Sequence, residues 1–266
     1  MRLLVSAVLA SMLAPPAFAQ LAPPNAAGMT YAHVHLNVSD MELHKKLWAE
    51  QFGGVVVTKG SLTAVRFPGM LIALTNRPPS GPSEGTVMNH FGFKVRDLAA
   101  HLAKWRAAGY QVQTEFTGAE GFPNAYIVAP DGVRVELQED PTQAPDVMGY
   151  HIHFLTPDFE KLMAWYVQTF GAVPFTRGNI ATTANVPGMN LSFGDSETPT
   201  VGTRGRAIDH IGFEFDDLEA FCKQLEAKGV TFDVPFRDVP SVELKIAFIT
   251  DPSGVSIELT QGYDDY

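Results

Sequence analysis

The sequence predicts an α+β fold: four strand–helix–three-strand modules paired into two cup-shaped domains. Three observations predict it. A His-led strand followed by Asp recurs four times, equivalent residues in the two halves keep a steady offset of 118 to 122, and each half ends in a matched turn and strand carrying Glu. At 266 residues, 45% hydrophobic and 18% charged, the chain can bury two real cores. A formal charge of -10 without any basic run excludes an electrostatic footprint for nucleic acid or anionic lipid. The expected partner is therefore a small-molecule substrate, with no nucleic acid and no membrane, and an oligomer is left open. The lone Cys222 excludes an internal disulfide and any cysteine-rich metal site, and its place in an expected helix marks it as a core residue.

Residues 1–19 read as an export signal. Arg2 is the only charge, 3–13 is a short apolar stretch, and Ala17-Phe18-Ala19 gives the small-x-small cleavage pattern before Gln20. The apolar stretch is too short for a membrane anchor and ends at Pro15-Pro16. The expectation is a periplasmic or secreted protein. Its mature chain opens with a loose Pro/Ala leader (20–28), followed by a first domain (29–140), a linker (141–146) and a second domain (147–262).

The four modules open with His33-Val34-His35, His90-Phe91-Gly92, His151-Ile152-His153 and His210-Ile211-Gly212. Seven residues after each first His stands Asp40, Asp97, Asp158 or Asp217, where a helix N-cap carboxylate belongs. The helices that follow are amphipathic and stop at Gly53, Gly109, Gly171 and Gly229, suited to left-handed caps. Strand-like runs follow, among them 54–58 and 64–67, and both halves place Pro-Gly-Met before a strand (Pro68-Gly69-Met70 and Pro187-Gly188-Met189). Each half closes on a turn and a Glu-bearing strand, through Pro130, Asp131 and Gly132 to Glu136, and through Asp251, Pro252 and Gly254 to Glu258. A single module leaves one apolar face open, so pairing is required; modules one and two are expected to form the first domain, three and four the second.

Side chains alternate across a strand, which splits each opening strand into two faces. Val34, Leu36 and Val38, with Phe91 and Phe93, Ile152 and Phe154, and Ile211 and Phe213, form the face under the helices. The first histidine of each module, His35, His153 and both glutamates fall on the opposite face, with Lys94, Arg134 and Glu214. Six of the chain's eight histidines lie in these four strands, and only His44 and His101 do not. Curled into a cup, such a face would be lined by two His and one Glu per domain. Two neutral imidazoles and a carboxylate hold a divalent metal with open positions and a residual charge of about +1, enough to chelate a substrate through two oxygens. Fe2+, Mn2+, Zn2+, Ni2+ and Co2+ all suit this donor set. Ala73 and Ser192 stand where a fourth ligand would come from and read as non-ligating. His35 and His153 could each be a second-sphere donor, a general base, an alternative ligand, or half of a hydrogen-bonded polar pair.

The His-led strands, the repeated modules and the Asp-Pro-x-Gly-x-x-x-Glu ending resemble the vicinal-oxygen-chelate (VOC) superfamily. This superfamily includes glyoxalase, bleomycin- and fosfomycin-resistance proteins, methylmalonyl-CoA epimerase and the extradiol dioxygenases. The resemblance covers about residues 29 to 262 and implies metal ligands His33, His90 and Glu136 in the first domain and His151, His210 and Glu258 in the second. The absent fourth ligand, and the extracellular location against a cytosolic thiol substrate, count against a glyoxalase. Tyr126, Pro130, Gly132 and Glu136 partly match the extradiol signature, with the Tyr126 hydroxyl placed to bond a substrate oxygen. The sequence departs from that family where its acid–base histidine belongs, at Phe116 and Asp238, and carries Phe248 opposite Tyr126. The expectation is an exported metal-dependent enzyme acting on a vicinal-oxygen substrate, extradiol-dioxygenase-like first. A lyase, isomerase or epimerase working through an enolate held on the metal, with His35 or His153 as base, is the alternative. A non-catalytic small-molecule binder is the third reading, and two intact His–Glu sets count against it.

Overall fold

A computed structural model of the protein describes residues 21–263, so the expected export signal lies outside the described residues. The first module comprises β1 (Met29–Val38), α1 (Met41–Phe52), β2 (Val55–Lys59), β3 (Leu62–Phe67) and β4 (Met70–Asn76). The second comprises β5 (Met88–Val95), α2 (Leu98–Ala107), β6 (Val112–Thr117), β7 (Pro123–Ala129) and β8 (Val133–Glu139). The third runs β9 (Val147–Leu155), α3 (Phe159–Phe170), β10 (Val173–Arg177), β11 (Ile180–Val186) and β12 (Met189–Gly194). The fourth runs β13 (Ile208–Phe215), α4 (Leu218–Ala227), β14 (Phe232–Val239), β15 (Leu244–Thr250) and β16 (Ser256–Gln261). The four-fold strand–helix–three-strand plan is thus present throughout. Among the described residues no helix is long and apolar enough to cross a membrane.

Three helices start as expected. Asp40 and Asp97 have extended backbones, Asp217 sits at φ -139 and ψ 84, and the three carboxylates accept the amides of Leu43, Ala100 and Ala220 at 2.9 to 3.0 Å. Asp158 does not cap: its backbone sits at φ -96 and ψ 33, which turns the carboxylate away from the first turn and onto Lys161 Nζ at 2.6 Å. The leader is not loose along its described length. Leu21 is buried beside Leu71, Leu244 and Tyr263, and Asn25 Oδ1 accepts the amides of Ala27 and Met29.

The strands form two eight-stranded sheets, and their order corrects the expected pairing. One sheet runs β14-β15-β16-β13-β1-β4-β3-β2, the other β10-β11-β12-β9-β5-β8-β7-β6. Module one therefore shares a sheet with module four, and module two with module three, rather than one with two and three with four. At each seam the opening strands run antiparallel, with His33 opposite Gly212 and His151 opposite Gly92. Glycine at the facing position is what lets each seam close. A Cβ on Gly212 would lie 1.9 Å from the His33 ring, and one on Gly92 would lie 2.2 Å from the His151 ring. Only glycine admits these rings at the seam.

Modules adjacent within a half meet instead through their apolar faces. Phe52 packs on Phe93 at 5.2 Å between ring centroids, Trp48 on Phe91 at 6.1 Å, and Phe170 on Phe213 at 4.6 Å. Val34, Phe91, Ile152 and Phe213 belong to one core shared by all four modules, and Cys222 is buried in it. Each fully buried aromatic side chain contributes about 1.5–3 kcal/mol by the area it removes from water. That central core fixes the backs of both sheets and leaves their histidine-bearing faces free to curl around separate cups.

Candidate metal centres

The first cup collects His33 and His35 from β1, His210 from β13 and Glu258 from β16, with one donor atom of each within 4.8 Å of the others. His33 Nε2 and His210 Nε2 approach the same oxygen, Glu258 Oε2, at 3.1 and 3.2 Å. The register explains the convergence. β1 pairs with β13 and β13 with β16, placing His33 opposite Gly212 and Gly212 beside Glu258. His35 Nε2 is bonded to Thr75 Oγ1 at 2.7 Å, and its Nδ1 is buried without a partner. Behind His210, Asp209 Oδ1 holds Nδ1 at 2.6 Å, while the other Asp209 oxygen accepts from Asn37 Nδ2 at 2.8 Å and the Gly205 amide at 2.7 Å.

The second cup collects His90 from β5, Glu136 from β8, and His151 and His153 from β9, again within 4.8 Å. His90 Nε2 and His151 Nε2 lie 3.0 and 3.2 Å from Glu136 Oε2. Asn89 Oδ1 holds His90 Nδ1 at 2.9 Å and also accepts from Arg134 Nη1. Tyr126 lies in this cup, 5.1 Å from the His90 ring, sandwiched by Phe116 and the Arg134 guanidinium. Buried Arg177 bonds Ser192 Oγ at 3.2 Å, and Tyr150 OH donates to Glu120 at 2.6 Å. Lys94 pairs with Asp140 at 2.9 Å.

The ligand groupings expected from the sequence are thereby corrected. His33 does not join His90 and Glu136, and His151 does not join His210 and Glu258; the two glutamates exchange partners because the sheets are built across the halves. All six residues still fall into cups, together with His35 and His153. The expected three-donor site also becomes a four-donor cluster. His35 lies beside Ala73 and His153 beside Ser192 in the sheet register, so imidazoles stand next to the positions that lack a ligand.

The environments are asymmetric. Burial lowers the His33 and His151 pKa values, and it lowers those of His35 and His153 well below the usual imidazole value. Burial likewise takes His90 down to about 4. His210 goes the other way: burial is outweighed by Asp209 and Glu258, which raise it to about 9. Burial acts to raise both glutamates, but Glu258 is held below its ordinary value by His210 and His33, and Glu136 well below its own by His151 and His90. Neutral imidazole facing carboxylate is the protonation state a divalent cation requires, and His210 must give up a proton to reach it.

The donor set fits such an ion on a further count. His33 and His151 are fully buried, yet neither ring nitrogen of either has a partner in hydrogen-bonding geometry, although Nε2 sits close to a carboxylate. Leaving a buried polar atom unsatisfied costs about 1–3 kcal/mol, and a cation at the focus of the three donors would partner the Nε2 atom of each ring. Beside the first cup opens a cavity of about 360 Å³, lined by His35, Glu258 and Tyr263 together with the apolar Met41, Leu62 and Leu244. Sequence reasoning missed the residues behind the ligands, Asp209, Asn89, Asn124 and Thr75. The signal for two of them was in plain sight, since Asn89 and Asp209 directly precede the equivalent histidines.

Four repeated modules, two curled sheets and a His–Glu cluster inside each define a class of paired-module proteins built around cups. The chain belongs to the Glyoxalase/Bleomycin resistance protein/Dioxygenase superfamily, whose family model matches residues 30–137 and 150–259. The fold is similar to that of glyoxalase I from Zea mays, at 17% identity and a TM-score of 0.69 over 89% of this chain and 94% of that one. It is also similar to a candidate dioxygenase from Bacillus subtilis, at 14% identity and a TM-score of 0.67 over 92% of this chain and 88% of that one. No curated protein matches the sequence.

Proposed function

We propose that the protein is an exported, divalent-metal-dependent enzyme whose first cup acts on a small molecule presenting two adjacent oxygens. The observation that carries this reading is the first cup itself, where two buried imidazoles and Glu258 converge beside a cavity of about 360 Å³. That volume suits a small ligand, and the lining mixes polar Thr75, Asn76 and Ser241 with apolar side chains. A divalent cation held by His33, His210 and Glu258 would supply electrostatic stabilisation of negative charge on the substrate oxygens. The chain's own residues do the rest. Thr75 fixes the His35 ring, burial keeps it neutral, and its unpartnered Nδ1 is left to take a proton from substrate. Leu62, Leu244 and Tyr263 supply the apolar wall against which the carbon skeleton of the ligand would rest.

Proton transfer, as in a lyase, isomerase or epimerase, is the reaction these groups support best. The dioxygenase reading draws on Tyr126, which stands beside His90 in the second cup, whereas Phe248 occupies the equivalent place beside His210 in the first. The two are separated by oxygen uptake with a panel of catechols against solvent-deuterium exchange into 2-hydroxy and 2-oxo carbonyl compounds, each with metal-reconstituted protein. Exchange that is lost in His35→Ala supports proton transfer. Oxygen uptake that survives His35→Ala and is lost in Tyr126→Phe selects ring cleavage. Protein purified from its native compartment without stoichiometric metal would overturn both.

A further inference from the structure

The two cups share a ligand pattern but not the groups behind it. In the first, His210 Nδ1 faces a carboxylate oxygen of Asp209 at 2.6 Å, and that carboxylate is itself anchored by Asn37 and the Gly205 amide. In the second, His90 Nδ1 faces the amide oxygen of Asn89 at 2.9 Å, and Arg134 donates to that same oxygen. The metal-facing carboxylates differ too. Glu136 Oε1 already accepts from Asn124 Nδ2 at 2.5 Å, whereas the residue in the matching register position behind Glu258 is Ile246, which has nothing to donate. Arg134 likewise has Ser256 as its register equivalent.

The difference behind the histidines has a definite sign. A carboxylate behind a ligating imidazole makes it a more basic donor and adds negative charge near the cation, whereas a neutral amide already engaged by a guanidinium does neither. Buried Arg177 stands in the second cup opposite the Glu120 carboxylate, 3.9 Å from its Nη1.

We propose that the cups form an affinity ladder: the first, backed by Asp209, takes one divalent cation per chain, and the second fills only at higher concentration. The proposal rests on the metal reading above and adds to it a positioning role for Asp209, which touches neither cation nor substrate. Mutation of such a partner typically changes metal affinity by about 10–100-fold.

The test is Co2+ titration of the chelator-stripped chain, following Co2+ absorption against a competing chelator, with bound metal counted by elemental analysis after equilibrium dialysis. The expected wild-type isotherm has two steps of one ion each, separated by at least about tenfold. Asp209→Asn should weaken the tight step by about 10–100-fold, while Asn89→Asp should strengthen the weak step by about tenfold or more. Glu136→Gln should remove the weak step and leave the tight one in place. Because Asn89→Asp acts on the other cup, it tests the proposal even where Asp209→Asn fails to fold. Two equal steps insensitive to both exchanges, or a tight step lost in Glu136→Gln, would overturn the ladder and leave the metal reading standing. No Co2+ bound by either cup would overturn both.

Discussion

Gly212→Ala isolates the seam that builds the first cup. The added Cβ would lie 1.9 Å from His33 Cε1, 2.2 Å from Nδ1 and 2.6 Å from Nε2. Ordinary contact begins near 3.4 Å, so the ring must move by about 1.5 Å. It has little room, because the Tyr263 ring lies 4.7 Å away on one side and His210 lies 5.6 Å away on another. Overpacking of this kind costs about 1–3 kcal/mol. For a chain of this size that lowers Tm by roughly 2–12 °C. The same movement takes His33 Nε2 out of line with Glu258, beyond the ~0.2 Å tolerance of a metal–ligand distance. The assays are thermal unfolding of the metal-free protein and bound metal by elemental analysis, with His33→Ala and the double variant completing a cycle. The double variant should recover stability relative to the sum of the singles by about 0.5–3 kcal/mol, because removing the ring removes the clash. An unchanged Tm and metal content in Gly212→Ala, or strict additivity in the cycle, would refute the seam argument.

His101, away from both cups, gives a stability prediction with a definite sign. It packs 4.9 Å from Phe52, and burial lowers its pKa from 6.5 to about 4. Stability is therefore complete above pH 6.5 and falls as pH drops toward 4, by up to about 3 kcal/mol. Denaturant midpoints at pH 7.5 and 4.5 should show this fall added to that of the other buried histidines, and His101→Gln should shrink the total by up to about 3 kcal/mol; an equal fall in the variant removes His101 as a contributor. Once a turnover substrate is in hand, His35→Ala should lose about 10²–10⁴ in kcat, measured at metal saturation. Leu62→Trp should fill the chamber, raising KM or abolishing turnover without changing metal content, and unimpaired turnover would place the substrate elsewhere.

The module plan, its helix caps and the two faces of each opening strand were legible because each rests on a local period or a fixed spacing. The faces of Val34 and Leu36, and of Ile211 and Phe213, emerge as read, and six spaced histidines and glutamates do line cups. Which module joins which was not legible. Modules one and three both open His-x-His, and modules two and four both open His-x-Gly, so either His-x-Gly strand could have seated either His-x-His strand at the seam. The steric rule that makes His33 need a glycine is satisfied equally by Gly92 and Gly212. Asp158 was misread for a related reason: the residue type suits a cap, but only the backbone angles decide whether it forms one. Asn124 and Thr75 stayed hidden because they reach Glu136 and His35 from neighbouring strands, where no sequence spacing points to them.

The placement of β16 at the far end of the chain has a consequence for assembly. The second cup is complete within 88–194, an uninterrupted stretch, whereas the first needs β1 near the start and Glu258 near the end. Closing so long a loop is the slower step, since its entropy is lost before any contact repays it. The topology orders the cups rather than the halves: the middle of the polypeptide carries every donor of one receptacle, while its apolar back stays uncovered until the first and last modules close over it.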